Sequence, residues 1–242
     1  MEAAADFRRG DDAPVIELAV VDLAGTTVRD DGAVEGAFVE ALAEVGAVDP
    51  EAPDDGVLLV VRATMGTSKI AVFRDLLGDE PRAQVANEAF ERAYAGRVES
   101  GEVEALPGAE DALRELRDDG VRIAVVTGFS AATRDLLLDA LGWTSLVDLA
   151  LSPDLSFRGR PAPDLVLASV IRLSVDDVRA VAVVGDTVND LLSGHRAGAS
   201  VVAGVLTGAH DARTLSAAPH SHLLDSIEAF PGVVRARPVP TG

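Results

Sequence analysis

VIELAVVDLAGTT, residues 15–27, decides how the rest of the chain is read. A nearly unbroken apolar run from Val15 to Val21 ends in the carboxylate of Asp22 and passes into the loop Leu23-Ala24-Gly25-Thr26-Thr27. A strand apolar on both faces must be covered on both faces, which is the habit of parallel sheets in α/β proteins. Three later runs share this character: Val121–Thr127 (VRIAVVT), Val181–Asp186 (VAVVGD) and Ser200–Leu206 (SVVAGVL). Segments of helical spacing lie beside them, at Gly108–Asp118, Ser130–Leu141, Ala162–Ile171 and Asn189–Ala197. The alternation predicts an α/β fold, a doubly wound, Rossmann-like parallel sheet with helices on both faces. Such sheets bind ligands at the carboxyl ends of their strands, where Asp22, Thr127 and Asp186 fall.

The stretch between the first two runs is far longer than one crossover helix needs. Ala33–Gly46 is amphipathic, Thr67–Leu77 opens with a Thr-Ser pair suited to capping, and Pro81–Arg97 begins with proline in a first helical turn. The predicted organisation is an α/β core domain from residues 1–31 and 106–242, with a small α-helical cap domain, residues 32–105, inserted into it. Gly32 and the Leu106-Pro107-Gly108 turn are the expected hinges. The two ends of the chain, the second reading RARPVPTG, are expected to fray.

Composition narrows the chemistry. The 242 residues are 48% hydrophobic and 25% charged, enough to build a packed core and unlike a disordered chain. A formal charge of -19 argues against nucleic acid or an anionic membrane as partner, since both need a basic face. No apolar run reaches the roughly 18 residues of a membrane helix, and the start lacks the apolar run of a signal peptide, so a cytoplasmic protein is expected. Zero cysteines remove disulfides, thiolate metal sites and thiol nucleophiles. Of 21 Lys plus Arg only Lys69 is a lysine, and an amine can serve as a nucleophile where a guanidinium cannot. The sequence leaves the oligomeric state open, a homodimer included.

Four segments carry candidate chemistry. Asp22 stands at a strand end before a Gly-Thr turn, and a carboxylate is a competent nucleophile toward phosphorus. Asp186 and Asp190, in GDTVND, can direct two oxygen ligands to one hard cation, for which Mg2+ is the natural choice. Thr127 and Gly128 offer a hydroxyl and loop amides to a phosphoryl oxygen, with the next helix adding its N-terminal dipole. Arg160, in GRPAP, adds a fixed positive charge. Taken singly each is ordinary: a strand-end Asp is often a helix cap, and DxxxD is often a solvated helix face.

In this order DLAGTTV, VVTGF, GRPAP and VVGDTVND resemble the four signature motifs of the haloacid dehalogenase superfamily. The resemblance spans most of the chain. It implies an aspartate nucleophile, Asp22, with magnesium held by Asp22, the carbonyl of Ala24, Asp186 and Asp190. The superfamily usually places a second Asp two residues after the nucleophile, as general acid/base toward an oxygen leaving group, and here that position is Ala24. General acid/base catalysis is worth roughly 10²–10⁴-fold, so its loss weighs against ordinary phosphate-ester hydrolysis.

One branch shares this departure, phosphonoacetaldehyde hydrolase and the phosphonatase-like hydrolases beside it. Its first motif reads Asp-x-Ala-Gly-Thr-Thr, its third carries arginine, as Arg160 does, and its cap has a Met-Gly-x-x-Lys segment matched by Met65-Gly66-Thr67-Ser68-Lys69. The resemblance implies that Lys69 forms a Schiff base with a substrate carbonyl beta to phosphorus, and that Met65, Gly66, Gly128 and Arg160 contact a small phosphonate. A protonated imine supplies the electron sink that C–P cleavage needs. A helix start and closure toward magnesium and Arg160 are expected to surround the Lys69 amine with positive charge, which favours its neutral form. Two positions depart from phosphonoacetaldehyde hydrolase itself: Val72 stands where that enzyme has histidine, and Phe129 where it has tyrosine. The implied activity is magnesium-dependent hydrolysis of a 2-oxoalkyl phosphonate through an aspartyl-phosphate and a lysine Schiff base. The alternatives are a phosphatase of the same fold acting on a small phosphate monoester, and a non-catalytic phosphometabolite-binding protein. His195, His210, His220 and His222 read as surface or helix residues rather than a metal cluster.

Overall fold

The structure, a computed structural model, describes residues 14–29 and 31–236. The expected fraying of the ends concerns residues 1–13 and 237–242, which lie outside these bounds. Six parallel strands form one sheet in the order β3-β2-β1-β4-β5-β6, with β1 Leu18–Val21, β2 Arg122–Val126, β3 Leu149–Leu151, β4 Val181–Gly185, β5 Val201–Val205 and β6 His222–Leu224. From β1 the chain winds outward through β2 and β3, then returns to β4 on the other side of β1 and winds outward again. The crevice between β1 and β4 is therefore the topological switch point of a doubly wound sheet.

Both faces of the sheet are apolar and both are covered. Ala19, Val21, Ile123, Val125, Ala182 and Val184 join one core with Ala109, Ala112, Leu113 and Leu116 of α5 (Ala109–Asp118). Their neighbours Leu18, Val20, Ala124, Val126, Val181 and Val183 join a second core with Leu165, Val166, Ala168 and Val170 of α7 (Asp164–Arg172). With apolar side chains on both faces, alternation alone does not select a register. Val21 pairs with Val125 and Val184, so the chain ends β2, β1 and β4 side by side at one rim.

Four of the expected strands are present, trimmed by one to three residues. The edge strands β3 and β6 were not anticipated: each is three residues long, too short for a periodic signal. α6 (Ala131–Ala140) and α8 (Val188–Ala197) occupy their expected places, followed by the short α9 (Ala212–Ser216) and α10 (Phe230–Arg235).

Between β1 and α5 lie α1 (Ala33–Glu44), α2 (Asp55–Ala63), α3 (Lys69–Leu77) and α4 (Glu80–Glu99). Phe38 of α1, Phe73 of α3 and Phe90 of α4 meet with centroids 4.8 and 4.9 Å from the Phe38 ring. α2 was not anticipated. Its valines are indifferent helix formers, and its start is marked by Asp54, which accepts from the N–H groups of Gly56 and Val57. The Thr67–Ser68 pair does not cap α3 as expected. Ser68 occupies the N-cap position without a side-chain bond, and the Thr67 hydroxyl donates to the carbonyl of Thr64 instead. Gly32 and Gly108, at the two junctions, have φ of 82° and 71°, the left-handed region where glycine carries no steric penalty.

Candidate active site

Three carboxylates converge at the switch point. Asp22 follows β1, with its N–H donating to the Val184 carbonyl at 3.1 Å, and Asp186 follows β4. Asp190 lies in the first turn of α8, fixed by a capping box: its N–H donates to Thr187 Oγ1 while its Oδ2 accepts from the Thr187 N–H at 3.0 Å. One oxygen from each of Asp22, Asp186 and Asp190 lies within 4.8 Å of the others, and all three residues are buried.

Like charges held this close out of water repel strongly, and the site answers with Arg160. Its Nη1 lies 2.7 Å from Asp22 Oδ1 and also contacts Asp190 Oδ1. Asp186 receives the N–H of Ala209 at 2.7 Å and lies 3.4 Å from the Thr26 hydroxyl. Burial, and next the negative charge of Asp22, push the Asp186 carboxyl up to about 7, against the pull of the Ala209 N–H and Arg160. A hard cation would reverse that penalty, and a donor set made only of oxygens fits one. Arg160 Nε is buried and finds no acceptor among the described residues, so the guanidinium keeps a donor for an oxyanion. Thr127, at the end of β2, is also buried, its hydroxyl oxygen accepting from the Phe129 N–H at 3.3 Å.

Lys69 opens α3 and is only 7% exposed, so it is not a surface lysine. It stands at the start of a helix and shares its pocket with Arg160, as expected, and aromatic rings adjoin it as well. Nζ lies 5.1 Å from the centroid of Phe129, 5.7 Å from Phe38 and 6.0 Å from Phe90, and ring faces attract a cation. Phe129 comes from the loop after β2, yet it packs at a tilt against Tyr94 of α4 with ring centroids 4.6 Å apart, so an aromatic seam joins the helical insertion to the sheet beside the amine. Val72 packs in the same apolar core.

Asp22, Ala24, Met65, Gly66, Lys69, Thr127, Gly128, Arg160 and Asp186 all line one pocket of about 30 Å³, and Asp190, outside that lining, contacts Arg160. Residues 16–198 match the family of hydrolases described as haloacid dehalogenase-like hydrolase. The chain belongs to the haloacid dehalogenase-like hydrolases. Among similar proteins, a phosphonoacetaldehyde hydrolase of Pseudomonas putida is 31% identical, over 90% of this chain and 91% of its own. The probable phosphatase IndB of Dickeya dadantii (strain 3937) is 29% identical, over 90% of this chain and 94% of its own. A crystal structure of a phosphonoacetaldehyde hydrolase-like protein from Oleispira antarctica superposes with a TM-score of 0.77 at 21% identity, covering 97% of this chain and 95% of that one, and establishes the shared fold.

This haloacid dehalogenase-like hydrolase also holds pocket features that its motifs do not mark. Val34 completes the apolar side of the pocket beside Met65 and Phe129, and the rings of Phe38 and Phe90 reach Lys69 from helices distant in sequence. His210 is not a plain surface residue: its Nδ1 accepts the Val188 N–H at 3.0 Å at the start of α8. His222 stands on strand β6, not on a helix. Among the described residues no helix is long and apolar enough to cross a membrane.

Proposed function

We propose that this hydrolase cleaves the C–P bond of a small 2-oxoalkyl phosphonate, with Asp22 as nucleophile and Lys69 as Schiff-base amine. The observation that carries the reading is the burial of the only lysine in the same small pocket as Asp22, where Ala24 stands in place of a general acid. Lys69 Nζ adds to the substrate carbonyl and water leaves, giving an iminium. An Asp22 oxygen attacks phosphorus, the C–P electron pair becomes a C=C bond to the iminium carbon, and the C=N π pair moves onto nitrogen, giving an enamine. No acid is then needed for a departing oxygen, which makes sense of a methyl group at position 24. Protonation of the enamine and hydrolysis of the imine return the amine and release the carbonyl product. A second water releases phosphate from Asp22.

Arg160, Thr127 and Gly128 bind the phosphonate oxygens, and Met65 and Gly66 contact the carbon end. Mg2+ would be held by Asp22, the Ala24 carbonyl and Asp186, with Asp190 in support, and when bound it offsets repulsion between Asp22 and an anionic substrate. The pocket of about 30 Å³ has room for about two waters at the ~10–15 Å³ each needs. The helices of residues 32–105 therefore act as a cap that swings about Gly32 and the Leu106-Pro107-Gly108 turn to admit substrate. A groove of about 690 Å³, bordered by Thr67, Ser68, Gly159 and Arg160, lies alongside as the approach. Similarity to the probable phosphatase IndB favours a second reading, hydrolysis of a small phosphate monoester.

Borohydride added with phosphonoacetaldehyde separates the two. The expected result is one reduced adduct on the Lys69 peptide, and Lys69→Arg, which keeps charge but not amine, should lose phosphate release almost completely. Labelling of the N-terminal amine alone, or near wild-type cleavage by Lys69→Arg, would remove the imine mechanism.

A further inference from the structure

Lys69 can work only if the turn that carries it, Met65-Gly66-Thr67-Ser68, sits in a fixed register on the sheet end. Backbone packs against backbone there. A Cβ on Gly128 would lie 2.3 Å from the Thr67 carbonyl oxygen, and one on Gly66, whose φ is 81°, would lie 2.6 Å from Thr187 Oγ1. The two glycines permit the approach but do not hold it. The Lys69 N–H donates to the Gly128 carbonyl on one side of the turn, at a long 3.4 Å. On the other side Asn189 Nδ2 donates to the Met65 carbonyl at 2.9 Å. A carbonyl can only accept, so the orientation of the Asn189 amide is settled by its partner.

The position of Asn189 gives this bond its meaning. It lies in the first turn of α8, between Thr187, against which Gly66 packs, and Asp190, which Arg160 grips together with Asp22. The capping box that fixes Asp190 fixes the same turn. The side chain that reaches the lysine turn is thus anchored in the element that carries one carboxylate of the acidic cluster.

We propose that Asn189 is a positioning residue that latches the Met65–Lys69 turn onto the N-terminal end of α8, setting the Lys69 amine against a substrate held at Asp22. The proposal rests on the imine reading for its catalytic consequence but not for the latch itself. Asn189 is half-buried and outside the apolar cores, so its replacement leaves the fold intact.

The test compares Asn189→Ala and Asn189→Asp with wild type by hydrogen exchange and by borohydride trapping. One neutral hydrogen bond of ordinary strength sustains about a three- to tenfold shift in an opening equilibrium. Exchange of the Lys69 amide should therefore rise about three- to tenfold in Asn189→Ala, and more in Asn189→Asp, whose carboxylate faces the Met65 carbonyl. Exchange along α5, remote from the turn, should not change. Gly128→Ala, which forces the turn away, supplies the fully unlatched reference. With phosphonoacetaldehyde, trapping and kcat should fall by a similar factor, while the inhibition constant of inorganic phosphate stays at the wild-type value because Arg160 and Thr127 are untouched. Unchanged Lys69 exchange in a folded Asn189→Ala would overturn the latch. Raised exchange with undiminished trapping would overturn the positioning role. If wild type gives no imine adduct, the C–P reading fails, and the exchange measurement still decides the latch.

Discussion

Arg160→Met keeps most of the side-chain volume at position 160 and removes the guanidinium that pairs with the buried carboxylates of Asp22 and Asp190. Nη1 of Arg160 lies 2.7 Å from Asp22 Oδ1 and also touches Asp190. At about 4 Å between charge centres and an effective dielectric constant near 20, each attraction is worth about 4 kcal/mol. Desolvation of the guanidinium offsets much of this, and removing one partner of a buried pair has a net cost of about 3–5 kcal/mol. For a chain of this size that is a fall in Tm of about 6–20 °C, read by circular dichroism in chelator at about pH 8. The pH dependence has a definite sign. The folded-state pKa of Asp186 is already raised to about 7, and the variant loses the guanidinium that draws it down. A raised carboxyl leaves stability intact below the unfolded value near 4 and erodes it as pH climbs through the folded one. The gap between wild type and variant should therefore narrow at about pH 5. It should also narrow at about pH 8 on addition of Mg2+, which restores positive charge to the cluster. A variant melting within about 2 °C of wild type at the higher pH, or a gap that stays constant at the lower, would refute Arg160 as the balancing charge.

Asp22→Asn should abolish phosphate release from phosphonoacetaldehyde without unfolding the protein, and release at even a tenth of the wild-type rate (about 1.4 kcal/mol) would reject Asp22 as nucleophile. Ala24→Asp should leave C–P cleavage no faster, since the iminium already assists the leaving group, while raising hydrolysis of a small phosphate monoester toward the roughly 10²–10⁴-fold that a general acid supplies; a comparable gain in C–P cleavage would contradict the imine route. Burial lowers the pKa of His210, and its Nδ1 must stay unprotonated to accept the Val188 N–H. A base with a depressed folded pKa contributes stability that is present above about 6.5 and lost as pH falls, so the Tm difference between wild type and His210→Ala should shrink on going from about pH 8 to about pH 5.5.

Much of the site was legible because its chemistry is written in contiguous segments. Asp22, Thr127 and Asp186 each end an apolar run, and a parallel sheet places such ends at one rim whatever surrounds them. Ala24 and the solitary Lys69 were visible as residue types alone. The strands β3 and β6 were not legible, because three residues at a sheet edge owe their conformation to the neighbour they pair with. α2 was hidden for the opposite reason, a valine-rich stretch held helical by its cap and by the burial of Val61.

What the sequence by itself determined, then, is the four central strands of the sheet, their carboxylate rim and the presence of one amine, since each depends on local pattern and residue chemistry. Tertiary structure alone decided what surrounds that amine. The rings of Phe38, Phe90 and Phe129 come from three separate elements, and no spacing along the chain encodes their meeting at Lys69. It likewise decided that Arg160 bridges Asp22 and Asp190, and that Asn189 reaches the Met65 carbonyl 124 positions away. Long-range contacts of this kind follow from how helices dock on a sheet, and docking answers to the packed shape of whole surfaces rather than to any local run of residues.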